Sequence, residues 1–304
     1  MRYLLILYFA SWSLLYAQEP YTLATGGKTI EFKDVTNLTI LGTAGSQLRI
    51  EQGRERTESD SEDDCSCDDD NGNVFFRNTR NDRPQRQDPR ADGLRRISAS
   101  GVIDNTNLGV SVTEEADRIL IRRVGSQQRA ITVRVPNSAT VKVGGGSLMH
   151  DGGVEIRDLR GALDVSSTKT IRLQNVMGPV AANAMYGDII AVWDRAPTEE
   201  VRLHSTYANV DVSLPASAKV DVRFSTSYGE MFTDFNIQVK SNTVPEPEET
   251  DRQVRVFPSG GDRNFTFDFR SGGERKQGLT GSINGGGPLL ALTATYKNIY
   301  LRKQ

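Results

Sequence analysis

The chain has 304 residues, of which 25% are charged and 37% hydrophobic, and its formal net charge at pH 7 is −2. This length suits one large β domain or two small ones, and the near-neutral balance provides no basic face of the kind that nucleic-acid binders carry. We therefore expect no nucleic-acid partner. Glycine is frequent, with 28 residues, which favours many turns between short strands.

The first residues are typical of a secretory signal peptide. Arg2 supplies the positive start, residues 3–16 form an uncharged and mostly apolar run, and Ala17 suits the position before a cleavage site. The run is short for a transmembrane helix, which needs roughly 20 residues, and an uncleaved N-terminal anchor is the alternative. We predict a signal peptide at residues 1–17 and export to the periplasm, the outer envelope or the exterior. No transmembrane segment is predicted after the signal is removed.

Short strands and one charged insertion follow. Residues 21–52 alternate apolar and polar side chains between glycine turns, which predicts three short strands. Residues 53–96 carry an acidic block and then an arginine-rich block with few apolar residues. Such a segment cannot bury enough surface to offset its ordering entropy, so we predict a disordered insertion. Residues 18–52 and 97–304 then form a single domain.

The acidic block is a weak candidate for binding a divalent cation, because calcium takes several oxygen ligands. It does not fit an EF-hand: aligning Gly72 with that motif's glycine puts Cys67 and Asn78 at the first and last ligand positions. Cys65 and Cys67 are too few for a structural zinc site. A solvated charge run is the simpler interpretation, and no cofactor is predicted. The candidate ligands are Asp63, Asp64, Asp68, Asp69 and Asp70.

The most regular pattern lies in the second half of the chain. Three tyrosines recur at intervals of 21 residues, and each is followed by a small, a polar and an apolar residue. A fixed period near 20 residues predicts a solenoid whose stacked coils share one core. In register, the tyrosines would stack at about 4.8 Å, whereas ordinary hairpin turns in an antiparallel sheet are the alternative. The structural repeat residues are Tyr186, Gly187, Tyr207, Tyr228 and Gly229.

The tyrosine pattern returns in weaker form near the end of the chain. Tyr296 is followed by Lys297, where glycine is expected, and we predict that the strand at 296–301 caps the stack. No segment shows a sustained 3.6-residue apolar period, so helix content should be very low. The predicted fold class is all-β, a parallel β-solenoid or β-helix-like stack of short strands with a disordered charged insertion.

These motifs resemble the DUF4097-type putative-adhesin family of β-strand repeat proteins, which is common in bacterial envelopes. The resemblance spans residues 21–52 and 97–304, and it implies a β-solenoid-like fold, a secreted or envelope location and no established catalytic residues. Ala208 and Lys297 depart from the family's usual glycine. The residues that carry the resemblance are 205–215, 225–231, 281–287 and 296–301.

Candidate catalytic groups are scattered along the chain. Neither His150 nor His204 has a nucleophile motif beside it. Paired carboxylates could cleave a polysaccharide, but nothing in the spacing of the acidic residues selects a pair. The four carboxylates considered are Asp164, Asp188, Asp211 and Asp221.

We therefore predict a non-enzymatic, secreted or cell-envelope protein that acts as an adhesin, a surface-binding module or a scaffold. Its partner is unknown, and a surface polysaccharide or an envelope protein is the expected class. A carbohydrate-active β-helix enzyme and a cation-responsive module acting through the acidic block are the two alternatives.

Overall fold

The computed structural model describes residues 20–35, 37–53, 101–125, 130–144, 152–240 and 277–304. These residues form β-strands, turns and bends, and since they contain no helix, no helix among them could cross a membrane. The predicted signal peptide and nearly all of the charged insertion, including its five candidate aspartates, lie outside the described residues. His150 lies outside them too.

The described part of the chain contains 21 short strands. They are β1 (Tyr21–Ala24), β2 (Thr29–Lys33), β3 (Leu38–Thr43), β4 (Gln47–Gln52), β5 (Val110–Glu114), β6 (Arg118–Arg123), β7 (Ile131–Pro136), β8 (Val141–Gly144), β9 (Val154–Arg157), β10 (Leu163–Ser167), β11 (Ile171–Gln174), β12 (Val180–Ala184), β13 (Ile189–Val192), β14 (Val201–Ser205), β15 (Val210–Leu214), β16 (Val220–Thr226), β17 (Met231–Thr233), β18 (Gln238–Val239), β19 (Gln277–Ile283), β20 (Leu289–Ala294) and β21 (Ile299–Lys303).

The strands form two sheets with mostly parallel pairing. Sheet A has the order β1-β4-β7-β3-β9-β11-β13-β15-β21-β17, and sheet B has the order β18-β19-β16-β20-β14-β12-β10-β8-β2-β6-β5. A coil consists of one strand of sheet B followed by the next strand of the chain in sheet A. Eight such coils stack in the described residues, in the order β6/β7, β2/β3, β8/β9, β10/β11, β12/β13, β14/β15, β20/β21 and β16/β17. The predicted parallel β-solenoid is therefore confirmed.

Rows of aligned apolar side chains fill the space between the two sheets. Alternate residues of a strand point to the same face, so the register places Val141, Leu163, Val180, Val201 and Leu290 side by side on five neighbouring strands. All five are at most 3% exposed. The buried residues of both sheets form one continuous core, because each coil covers the apolar face that its neighbour cannot bury alone.

The order of the coils differs from the order of the chain at both ends of the stack. The C-terminal coil β20/β21 lies between β14/β15 and β16/β17, and the N-terminal coil β2/β3 lies between β6/β7 and β8/β9. The prediction that the last strand caps the stack is therefore wrong. The C-terminal coil instead pairs in parallel on both of its sides, which satisfies backbone groups that an end position would leave open.

Antiparallel strands close the two ends. Strands β4 and β1 extend sheet A beyond β7, and β5 extends sheet B beyond β6. At the opposite end, β19 and β18 extend sheet B beyond β16. These short strands cover parallel edges that could otherwise pair with another chain.

Candidate functional site

Four tyrosine rings stack along one corner of the solenoid, where sheet B turns into sheet A. Neighbouring ring centroids are 4.9–5.1 Å apart and the ring planes differ by only 3–9°. The side chains are 44–55% exposed, so this is an exposed aromatic surface and not part of the core. We call it the tyrosine ladder; its members, in stack order, are Tyr186, Tyr207, Tyr296 and Tyr228.

The ladder contains one tyrosine more than its regular repeat predicts. Tyr186 and Tyr207 are neighbours, as expected, whereas Tyr296 lies between Tyr207 and Tyr228. The backbone explains the alignment, because each later tyrosine donates its N–H to the coil beneath it: Tyr207 to Met185, Tyr296 to Thr206 and Tyr228 to Thr295. The spacing of the rings is thus the spacing of parallel strands.

Side-chain hydrogen bonds between coils hold this corner in place. The Asp188 carboxylate accepts a bond from the Asn209 backbone N–H (2.8 Å), and the Asn209 side-chain oxygen accepts one from the Asn298 N–H (3.1 Å). The Asn298 oxygen then accepts the Glu230 N–H at 2.9 Å. All three of these bonds join one coil to the next. They therefore fix the register on which the ladder depends.

Two buried glycines allow the coils to approach closely beneath the ladder. A Cβ on Gly187 would lie 2.1 Å from the Thr170 backbone nitrogen, and one on Gly229 would lie 1.9 Å from the Lys297 carbonyl oxygen. Neither glycine has a positive φ, so the reason for glycine is contact between coils and not a left-handed turn. Lys297 fits because its own side chain is exposed while its carbonyl meets a glycine.

We expect Gly187→Ala to destabilise the fold by roughly 1–3 kcal/mol, since an overpacked backbone contact must be relieved by moving a coil. Ala208→Gly, at the equivalent turn of the next coil, is the matched control and should cost only about 1 kcal/mol or less. Urea unfolding followed by circular dichroism measures both. Equal midpoints for Gly187→Ala and the unaltered protein would contradict the assigned role of the contact.

The same four coils carry further outward-facing rows parallel to the ladder. Three residues before each tyrosine lies an uncharged polar side chain, and the strand register places these four next to one another. We call this set the polar row; it consists of Asn183, His204, Thr293 and Ser225. A row of one exposed methionine and three hydroxyl side chains separates it from the ladder, namely Met185, Thr206, Thr295 and Ser227.

His204 is the titratable group of the polar row. Burial lowers the pKa of its imidazole, so the ring is neutral at neutral pH and offers one donor and one acceptor. Its Nε2 atom lies 3.4 Å from the Thr295 hydroxyl. Since the other members of the row are an amide and two hydroxyls, the row offers hydrogen bonds without charge.

Arginine alternates with alanine in the next row, five residues before each tyrosine. We call this set the arginine row; it consists of Ala181, Arg202, Ala291 and Arg223. Both arginines are exposed. Arg202 contacts Glu200 at 2.8 Å, an exposed pair of small energetic value. An open depression of about 230 Å³ is lined by Ala181 and Arg202 of this row and by Lys142, Asp164 and Glu200.

A second aromatic pair lies on the outer face of sheet A. Phe232 and Tyr300 stack with centroids 5.2 Å apart, and the Arg302 guanidinium lies 5.1 Å from the centre of the Tyr300 ring. The two ends of the Arg302 fork donate to the Asp211 carboxylate, at 3.0 Å each. The guanidinium is therefore held by the protein itself.

The structure separates the four carboxylates that were considered for catalysis. Asp164 and Asp221 lie in sheet B on strands that are four positions apart, Asp188 lies at the ladder corner, and Asp211 lies in sheet A. No two of them are register partners. Nor do the described residues contain a cluster of three or more histidine, cysteine or acidic side chains that could hold a metal ion.

Residues 137–266 match the family model of Toastrack DUF4097, which confirms the resemblance over that part of the chain. A solved structure, described as a putative cell adhesion protein from Clostridium sporogenes ATCC 15579, aligns with 94% of this chain and 98% of its own. The identity is 8% and the TM-score is 0.40. Among curated proteins, none matches this chain.

Proposed function

We propose that this protein is a non-catalytic binding module of the cell envelope, and that its contact surface is the tyrosine ladder with the rows beside it. The exported chain would act in the periplasm, in the outer envelope or outside the cell, after removal of residues 1–17. Its partner would be a surface polysaccharide or an envelope protein. The observation that carries this proposal is the exposure of four aligned aromatic rings, each about half accessible to solvent.

Two physical arguments support a binding role for this surface. Contiguous exposed aromatic surface is uncommon on soluble proteins and marks interaction sites, and Tyr contributes strongly to binding at such sites. The ladder is also preorganised, because stacking and the hydrogen bonds between coils fix the rings before a partner arrives. A rigid surface loses little conformational freedom on binding, which favours affinity.

We expect the double variant Tyr207→Ser/Tyr296→Ser to reduce binding to isolated cell envelopes by about tenfold or more, because it removes the two inner rings of the contact surface. The measurement is co-sedimentation of the purified protein, lacking residues 1–17, with envelope fractions over a range of concentrations. Phe232→Ser, which alters an exposed ring outside the ladder, is the control and should leave binding unchanged. Absence of envelope binding, or equal binding by the ladder variant, would refute the proposal.

A further inference from the structure

The tyrosine ladder cannot bind a sugar in the way that an open aromatic platform does. Such a platform turns the face of each ring towards the ligand, whereas here the inner rings, Tyr207 and Tyr296, are covered on both faces by their neighbours. The ladder therefore presents ring edges and hydroxyl groups. It runs along the axis of the stack, and the polar row runs parallel to it, with the row of Met185, Thr206, Thr295 and Ser227 between them.

The polar row repeats at the spacing of parallel strands, about 4.8 Å. Each of its four steps offers an uncharged donor and acceptor. A partner that contacts all four residues of the row must itself be a linear polymer. Its repeating unit must be rich in hydroxyl groups, and its length along the polymer must be about one strand spacing. An extended β-linked pyranose chain has this geometry, and its many hydroxyl groups are matched by amide, imidazole and hydroxyl side chains.

The arginine row repeats at twice that distance. Arg202 and Arg223 lie on β14 and β16, with Ala291 of β20 between them, so the arginines are two strand spacings apart, roughly 9.6 Å. Guanidinium groups bind carboxylates through two parallel hydrogen bonds. A glycan with one carboxylate on every second sugar would place its charges at this interval.

Nearby acidic residues narrow the choice of ligand. Glu200 and Asp221 lie two positions before the arginines on the same chain segments, and they contact Arg202 and Lys240 respectively. These ion pairs offset part of the positive charge of this surface, so a glycan with a carboxylate on every sugar would bring more negative charge than the arginine row can pair. A carboxylate on every sugar would therefore be disfavoured relative to one on alternate sugars.

We propose that the four coils β12/β13, β14/β15, β20/β21 and β16/β17 bind an extended, β-linked glycan that carries a carboxylate on alternate sugars. The chain lies along the stack axis, with its hydroxyl groups on the polar row, its carboxylates on Arg202 and Arg223, and one side against the tyrosine ladder. This assignment rests on the proposed function and names its partner.

The test measures binding of the full chain, by calorimetry, to three oligosaccharides of equal length. A hyaluronan oligosaccharide carries one carboxylate per disaccharide, a chitin oligosaccharide carries none, and an oligomannuronate, which is β-linked like the other two, carries one on every sugar. We expect the hyaluronan oligosaccharide to bind at least about tenfold more tightly than either of the others at low salt, and the preference to shrink as salt screens the charges.

Substitutions identify the side chains that bind the glycan. Arg202→Gln/Arg223→Gln should bring the hyaluronan oligosaccharide to the affinity of the chitin oligosaccharide, and Asn183→Ala/Thr293→Val should weaken all three. The matched control is Arg134→Gln/Arg157→Gln. These arginines flank Leu41 in sheet A and are also two strand spacings apart. Neither the polar row nor the tyrosine ladder lies beside them, so this variant should bind the glycans as the unaltered chain does.

The outcomes separate this inference from the proposed function. If none of the glycans binds but envelopes still bind through the ladder, the partner is a protein and the glycan assignment is overturned while the proposed function stands. Equal affinity for the charged and uncharged glycans, unchanged by Arg202→Gln/Arg223→Gln, overturns the carboxylate assignment. If the unaltered protein does not bind envelopes at all, the proposed function itself is refuted.

Discussion

Removal of residues 277–304 should unfold the coil β16/β17, which is the outer coil of the solenoid, while the coils from β2/β3 to β14/β15 stay folded. Within the described residues, β16 pairs with β19 and β20, β17 pairs with β21, and β18 pairs with β19. Every strand partner of residues 220–239 therefore belongs to the last 28 residues of the chain. Without these residues, the strands of the outer coil have no partner strand for their backbone hydrogen bonds.

The energetic loss is large. Five big apolar side chains of the C-terminal segment are at most 1% exposed, namely Ile283, Leu290, Leu292, Ile299 and Leu301. At roughly 1.5–3 kcal/mol for each buried side chain, their loss is comparable with the net stability of a typical domain, about 5–15 kcal/mol. Stacked repeats are stabilised mainly by their neighbours, so we expect the loss to be confined to the end where it occurs.

Limited proteolysis with mass spectrometry measures this effect. In the truncated chain, residues 216–240 should become cleavable while β2–β15 remain protected, and the exposed edges of β14 and β15 should promote self-association. The full-length variant Leu292→Asp should behave similarly, because it buries an unpaired charge. Thr293→Asp, on the opposite face of the same strand, is the matched control. Unchanged protection of residues 216–240 after truncation would contradict the topology.

The sequence was sufficient to predict the coil but not the order of the coils. The 21-residue interval between the tyrosines reports the length of one coil, and alternating apolar residues report which side chains face inward. Stack order depends on backbone hydrogen bonds, which are nearly independent of side-chain identity. Tyr296 is 68 positions after Tyr228 and is followed by lysine, so its place between Tyr207 and Tyr228 could not be predicted from the period.

Part of the candidate site could be predicted from the same repeat. The polar row and the arginine row lie three and five residues before each tyrosine, and aligning the four repeats on their tyrosines would have revealed both. Without the stack order, however, the alternation of Arg202, Ala291 and Arg223 is invisible, because Ala291 lies outside the regular series. The close contact at Gly187 could not be predicted, since sequence alone cannot distinguish a glycine required by a turn from one required by close contact between coils.

Trp193→Ala should destabilise the fold by about 3–5 kcal/mol, the usual cost of truncating a large buried aromatic side chain. Trp193 is fully buried at the corner after β13, opposite the tyrosine ladder along the coil, and its indole N–H donates to the Val176 carbonyl oxygen at 2.7 Å. The ring thus fills the core of one coil and satisfies a backbone group of the coil before it. Urea unfolding followed by circular dichroism gives the free-energy change.

Trp193→Phe separates the two contributions of this side chain. Phenylalanine keeps most of the buried apolar volume but has no N–H, so the Val176 carbonyl loses its indole partner, at a cost of about 1–3 kcal/mol. The alanine variant loses the volume as well and should be clearly less stable. If the two variants unfold at the same urea concentration, packing of the indole is not what stabilises this corner, and the hydrogen bond between coils carries the effect alone.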